Sequence, residues 1–208
     1  MAAVARKGKT NRAERRTDLS RRLFTIVERL LADGTTFSDI SVEQLITEAG
    51  IARSTFYVYF EDKGALAAEL LDQVTQVIGA AASDWFALPA GASRADLHQA
   101  LSHLAEGYRE HGRMLSAVIE AAAYEPRVRD QYAAVMQRRC QDVIQALTPQ
   151  QTNGTIRADV NIPSVSTWLV WMFERGLYQL VGGGDQLTAA ALDGATTIVW
   201  RTLYDNTH

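Results

Sequence analysis

Cysteine is nearly absent from this chain, and so are long apolar runs. The 208 residues include one cysteine, Cys140, so no disulfide can form within the chain, and such usage is typical of a reducing compartment. No apolar run approaches the roughly 20 residues of a membrane-spanning helix. The N-terminus is basic, but the apolar stretch of a signal peptide does not follow it. We therefore expect a cytoplasmic protein with no membrane partner.

Sequence patterns of catalytic and metal-binding sites are missing as well. The four histidines do not fall at metal-ligand spacings such as i and i+4, and no second cysteine accompanies Cys140. The chain contains no G-x-S-x-G, no G-x-x-x-x-G-K-[ST] and no G-x-G-x-x-G motif. These absences predict a protein that is not an enzyme and that binds no metal or cofactor.

Positive charge is scarce except at the N-terminus. The formal net charge is −3 and the pI is about 5.8, which is unusual for a nucleic-acid-binding protein. Residues 1–22 hold eight basic and two acidic side chains, a net charge of +6, and the remaining residues therefore carry −9. A basic arm can add phosphate contacts or enter a minor groove, with affinity that falls as salt rises. The alternative is a solvated tail without a specific role.

Hydrophobic spacing predicts an all-α fold of about nine helices. In the first helix, apolar residues recur from Leu19 to Leu31 at i, i+3, i+4 and i+7, and Thr17 or Asp18 is predicted to cap it. Residues 1–16 lack this periodicity and are predicted to be disordered without DNA. Further helices are predicted at about 63–86, 93–111, 113–123, 126–147, 161–181 and 185–204, with Gly182 to Gly184 ending the second last.

Residues 41–63 carry the strongest functional signal. Ser41 and Gln44 form an S-x-x-Q capping box, and Gly50 is well placed to end the helix that Ser41 begins. Ile51 then supplies an apolar plug between two steeply crossing helices. The segment therefore predicts a helix, a tight turn and a second short helix.

The second short helix, at about residues 53–60, has two different sides. Phe56 and Phe60 share one side, because residues four apart lie on the same face of a helix. A guanidinium, two hydroxyls and two phenols occupy the rest, and these groups suit phosphates and base edges. They belong to Arg53, Ser54, Thr55, Tyr57 and Tyr59.

This stretch resembles the DNA-binding domain of TetR-family transcriptional regulators. From Gly50 to Lys63, the sequence GIARSTFYVYFEDK follows the family pattern of turn and recognition helix. Two positions depart from it: Ala52 replaces the usual Ser or Thr N-cap, and Gly64 replaces the usual Glu. The helix order and the eighth helix, rich in Trp, Phe and Met, look most like the EthR-like branch.

The resemblance implies a domain organisation and a function. A helix-turn-helix domain at 17–62 would follow the basic arm at 1–16, and residues 63–208 would form an effector-binding and dimerisation domain. The last two helices would pair with those of a second subunit as a four-helix bundle. The homodimer would repress transcription by binding a palindromic operator in double-stranded DNA, and a small effector would release it.

The resemblance also implies residue roles. Base and sugar contacts are expected from Arg53, Ser54, Thr55 and Tyr57, and phosphate contacts from Ser41, Tyr59 and Lys63. The walls of the effector site are expected at five positions: Tyr108, Met136, Trp168, Phe173 and Trp200. Few charged residues converge on this region, which favours a mostly apolar effector.

Other interpretations stay open. The chain could be an activator, or a helical dimer that binds small molecules and has no sequence-specific DNA role. It could also be an enzyme or sequestering protein whose helix-turn-helix is vestigial. A last alternative is a structural helical dimer whose basic arm binds acidic partners without sequence preference.

Overall fold

The computed structural model describes residues 2–180 and 185–205. Nine helices and no strand occur in these ranges, which confirms the predicted all-α fold. The predicted helix end at Gly182 to Gly184 lies outside the described residues. The helices are α1 (Ala2–Ala32), α2 (Val42–Glu48), α3 (Arg53–Tyr59), α4 (Lys63–Ala80), α5 (Ser83–Phe86), α6 (Arg94–Tyr124), α7 (Pro126–Thr152), α8 (Ile162–Leu180) and α9 (Asp185–Leu203).

Helix α1 begins well before its predicted start. Thr17 lies inside the helix, where its hydroxyl donates to the carbonyl of Ala13 at 3.1 Å, so it does not cap the first turn. Residues 2–16 are rich in Ala, Arg and Lys, whose helix propensity is high even where apolar periodicity is absent. The division into an arm at 1–16 and domains at 17–62 and 63–208 stays a prediction.

Two predicted helix boundaries between residues 63 and 124 are also wrong. The break near Gly112 is absent, because α6 runs through it for 31 residues. A mid-helix glycine costs only about 1 kcal/mol relative to alanine, and the apolar stripe continues through the buried Met114 and Val118. The predicted helix from 63 to 86 is instead divided into α4 and α5, and the turn between them precedes Trp85, which is buried.

The chain forms two compact units. The first contains residues 1–73 and 113–132, and the second contains residues 74–112 and 133–208. Helices α1 to α3 belong to the first unit, and α5, α8 and α9 belong to the second. Helices α4, α6 and α7 contribute residues to each. None of the helices in the described ranges is long and apolar enough to span a membrane.

The helix-turn-helix in the first unit has the predicted Ser41 cap and the predicted glycine at the end of α2. The Ser41 hydroxyl accepts a hydrogen bond from the backbone N–H of Gln44 at 3.0 Å. Gly50 adopts a φ of 60°, a left-handed conformation that glycine tolerates. The next backbone N–H, of Ile51, then bonds to the carbonyl of Ile46 at 3.0 Å, which closes the C-terminal turn of α2.

Candidate nucleic-acid interface

Helix α3 buries its phenylalanines and exposes its polar side chains. Phe56 and Phe60 are fully buried, and their ring centroids lie 5.4 Å apart. Arg53 and Ser54 are exposed, and Tyr57 is 44% exposed. Thr55 and Tyr59 are half-buried. The two aromatic anchors therefore fix a short helix whose opposite face presents hydrogen-bond donors to solvent.

Arg53 is held in place on that exposed face. Its guanidinium pairs with the carboxylate of Glu43 on α2 and lies 5.6 Å from the ring centroid of Tyr57. The negative charge of Glu43, followed by the Tyr57 side chain, raises the pKa of Arg53. These contacts hold the guanidinium at the junction of the two short helices, where Glu43 neutralises part of its charge.

Lys63 does not lie with the polar side chains of α3. It is half-buried, and its Nζ donates to the backbone carbonyl of Ser38 at 2.9 Å. The same nitrogen lies 4.7 Å from the ring centroid of Phe37. Burial lowers the pKa of Lys63, and the charges of Asp39 and Glu125 oppose that change. A phosphate contact from Lys63 would require its side chain to leave Ser38.

Part of the basic N-terminal region contacts the helix-turn-helix. Arg12 donates to the carbonyl of Val58 in the last turn of α3 at 3.2 Å. Arg16 pairs with Glu69 at 2.7 Å and lies 5.8 Å from the ring centroid of Phe60. Neither contact was predicted from the sequence, although the i, i+4 spacing of the two arginines places them on one face of an α1 that begins before Arg12.

The start of α4 is fixed by a residue that sequence analysis also missed. Arg127 at the start of α7 pairs with Glu61 at 2.9 Å and with Asp62 at 3.3 Å. Asp62 also accepts a hydrogen bond from the backbone N–H of Ala65 at 2.7 Å, which confirms its predicted role as the cap of α4. Ion pairs between residues 65 and 66 positions apart leave no local sequence signal.

The second unit contains a connected aromatic cluster. Trp85 is buried with its ring centroid 5.6 Å from that of Phe173. Its indole N–H donates to the hydroxyl of Tyr204 at 3.0 Å, and that hydroxyl donates to the Gln150 side chain at 3.1 Å. Trp200 is half-buried with its ring centroid 5.5 Å from that of Tyr204. Phe173 and Trp200 are thus the two predicted wall residues that contact this cluster directly.

Two further predicted wall residues lie in the interior of the second unit. Met136 is buried and Tyr108 is half-buried. Burial, followed by the negative charge of Glu174, raises the pKa of Tyr108. Glu174 is only 5% exposed, so the region contains a buried carboxylate that sequence analysis did not expect.

Trp168 lies apart from the buried cluster. Its side chain is 78% exposed and lines an apolar groove of about 490 Å³ on α8 and α9. The other residues of this groove, called the α8–α9 groove below, are Ser164, Val165, Leu169, Trp171, Met172, Ile198 and Thr202. The structure therefore places Trp168 on a surface and not in an enclosed cavity.

Family comparisons match two parts of the chain. The family model of the C-terminal domain of the transcriptional regulator EthR matches residues 97–205. The model of bacterial regulatory proteins of the tetR family matches residues 33–70. The first match covers more than half of the chain, and the second contains α2 and α3.

Individual relatives agree with these matches. The HTH-type transcriptional regulator EthR of Mycobacterium tuberculosis is 27% identical over 162 residues, which cover 77% of this chain and 74% of that protein. EthR of Mycolicibacterium smegmatis is 25% identical over 154 residues, covering 74% and 70% of the two chains. The crystal structure of a TetR-family transcriptional regulator from Pectobacterium atrosepticum has the same fold, with a TM-score of 0.71, 14% identity, and coverage of 94% and 97%. This chain therefore belongs to the TetR family of helix-turn-helix transcriptional regulators, in its EthR-like branch.

Proposed function

We propose that this regulator is a repressor that binds a palindromic operator as a homodimer and is released by a small, mostly apolar effector. The observation that carries the proposal is the exposed face of α3. Arg53, Ser54 and Tyr57 are exposed there, while Phe56 on the same helix is buried. A two-fold dimer sets two such helices in successive major grooves, about 34 Å apart. The protein would act in the cytoplasm and has no catalytic role in this proposal.

The α8–α9 groove supports the homodimer. Trp168, Trp171 and Ile198 are exposed in a single chain. Large exposed apolar patches in soluble proteins commonly mark interaction sites. A second copy of the same two helices is the self-complementary partner that two-fold symmetry provides. The proposed interface is thus a four-helix bundle of α8 and α9 from each subunit.

The interior of the second unit supports the effector site. Trp85, Phe173 and Met136 are buried apolar side chains, and the chain of hydrogen bonds from Trp85 through Tyr204 offers a few polar groups. Binding sites for small molecules commonly combine such apolar walls with few polar groups. An effector lowers operator affinity by the ratio of its affinities for the DNA-free and DNA-bound states.

Selection of genomic DNA fragments by the purified protein tests the DNA-binding role. We expect enriched fragments to share one palindrome with half-sites about one helical turn apart. The logarithm of affinity should fall linearly with the logarithm of salt concentration, because phosphate contacts release counterions. Enrichment without a shared sequence would contradict the proposal and favour a dimer that binds acidic partners through its arm.

Phe173→Leu tests the effector site. An alanine at this buried position would cost about 3–5 kcal/mol of stability, so leucine is the better substitution. We expect the variant to bind its operator within about twofold of the parent, because α3 is unchanged, while the effector concentration for half release shifts by at least about tenfold. Effectors are first found by screening neutral alkyl and aromatic compounds for operator release in a fluorescence anisotropy assay.

Phe24→Leu is the matched control, because Phe24 is similarly buried but lies in the first unit. Its effector response should equal that of the parent protein. If both variants lose stability by similar amounts and neither changes the effector response, Phe173 belongs to the ordinary core. The effector site would then lie elsewhere.

A further inference from the structure

A small cavity in the first unit has no role in the proposed function. Its volume is about 230 Å³, below the roughly 300–1,000 Å³ typical of sites for drug-sized ligands. The cavity therefore suits a molecule the size of an amino acid. Its lining comes from the α1–α2 connection, α4, α6 and the residue before α7: Phe37, Ser38, Lys63, Gly64, Ala67, Ala117, Glu120, Ala121, Tyr124 and Glu125.

Small side chains keep the cavity open. Gly64 and three alanines line it, and Gly64 is the position where the TetR-like pattern usually has Glu. A Cβ added at Gly64 would lie 3.2 Å from a carboxylate oxygen of Asp62 and 3.6 Å from one of Glu125. A side chain at this position would therefore crowd Asp62 and Glu125 where Gly64 lines the cavity.

Lys63 brings to the cavity a positive charge that makes no direct ion pair with a described residue. Its Nζ has one hydrogen bond to a carbonyl, from Ser38, and a contact with the Phe37 ring. Among the residues that the structure describes, no carboxylate lies within the 4.0 Å of an ion pair with Nζ. Burial lowers the pKa of Lys63, although the charges of Asp39 and Glu125 favour its ammonium form from beyond ion-pair distance. A carboxylate bound beside it would supply the missing partner.

The rim of the cavity is negatively charged, opposite in sign to Lys63. Glu120 and Glu125 are exposed there, and Tyr124 between them is 80% exposed. A simple anion would be repelled by the two carboxylates, and a simple cation would be repelled by Lys63. A molecule with both charges satisfies the lining, with its carboxylate toward Lys63 and its ammonium group toward the glutamates.

From this arrangement we infer that the cavity binds a small zwitterion, namely an α-amino acid with an apolar side chain. The side chain would pack against Ala67, Ala117 and the Tyr124 ring. This site is distinct from the effector region of the second unit. If the proposed DNA-binding role also holds, an amino acid paired with Lys63 would keep that side chain from a DNA phosphate and lower operator affinity.

Calorimetric titration of the full chain without DNA tests the charge requirement. The probes are L-phenylalanine, 3-phenylpropanoate, which lacks the ammonium group, and 2-phenylethylamine, which lacks the carboxylate. We expect L-phenylalanine to bind at least about tenfold tighter than either analogue, since each analogue loses one charge pair. Equal binding of an analogue, or no heat from L-phenylalanine at about 10 mM, would overturn the inference.

Gly64→Glu tests the location of the site. This substitution fills the cavity and sets a carboxylate near Lys63, so we expect it to abolish binding of L-phenylalanine. Gly112→Glu is the matched control, because Gly112 is also helical and a Cβ there meets no atom within 4 Å. It should bind like the parent protein. Undiminished binding by Gly64→Glu would place the ligand elsewhere and refute the inference.

Lys63→Gln supplies a second variant that does not depend on filling the cavity. It should reduce the affinity for L-phenylalanine at least about tenfold, whereas the affinity for 2-phenylethylamine should not fall, because Lys63 repels its ammonium group. Circular dichroism of each variant establishes that it is folded. Because no measurement in this series contains DNA, a negative result is separate from any failure of operator binding. Loss of affinity for both probes by the same factor would contradict the assignment of the carboxylate to Lys63.

Discussion

Trp168→Glu should convert the proposed homodimer into a monomer and lower operator affinity by at least about 100-fold. Tryptophan is enriched among residues that dominate binding energy at interfaces, and a carboxylate in an apolar interface is desolvated without a partner. A monomer binds only one half-site and loses the base contacts of the other half-site. Each lost base-pair contact costs about 1–3 kcal/mol of binding free energy. Light scattering at micromolar concentration and anisotropy with operator DNA measure the two effects.

Because Trp168 is exposed, Trp168→Glu can test dimer formation without destabilising the folded monomer. Since its side chain is exposed in a single chain, the substitution should leave monomer stability within about 0.5 kcal/mol of the parent value. Val77→Glu is the matched control, because Val77 is also an exposed apolar residue and lies outside the α8–α9 groove. A Trp168→Glu protein that remains dimeric would remove α8 and α9 from the proposed interface.

The helix-turn-helix could be predicted because its signals are local. Ser41 caps a backbone N–H three residues away, and Gly50 takes the left-handed conformation that ends α2. Phe56 and Phe60 occupy one side of α3 because of the helical period alone. Such features depend on a few neighbouring residues, so the sequence contains nearly all the information that determines them.

The features that could not be predicted depend on distant residues. Arg127 pairs with Glu61 and Asp62 only because α7 begins near the start of α4. The same limit applies to Lys63, whose hydrogen bond to Ser38 spans 25 positions. No periodicity within one helix indicates such partners. The charge state and accessibility of a predicted contact residue therefore require the tertiary structure.

Helix α8 shows a different limit of sequence analysis. Its apolar residues surround nearly the whole helix, which predicts burial on more than one side. Periodicity does not tell which apolar residues face the core of the same chain and which are exposed. Phe173 proves to be buried against Trp85, whereas Trp168 on the same helix is exposed in the α8–α9 groove. The predicted wall residues of the effector site therefore include Phe173, which is buried in the core of the chain, and Trp168, which is exposed to solvent.

Arg53→Ala should reduce operator affinity by about 5- to 150-fold, the range for losing one arginine contact to a base. The structure adds a variant with the opposite expected effect. Glu43 pairs with Arg53 on the exposed surface, so Glu43→Gln frees the guanidinium and removes a negative charge that repels phosphates. We expect Glu43→Gln to raise operator affinity by about two- to tenfold at low salt, with a smaller gain at high salt.

Deletion of residues 2–11 distinguishes the contribution of the basic arm to DNA binding from the contribution of the recognition helix α3. This truncation keeps Arg12 and Arg16, which contact Val58 and Glu69. It should weaken binding to all DNA sequences alike and reduce the salt dependence, because the removed basic residues would contact only phosphates. Arg53→Ala should instead relax the preference at particular base pairs. If only the truncation lowered operator affinity, base recognition by α3 would be ruled out, since Arg53 lies on the exposed face on which that proposal depends.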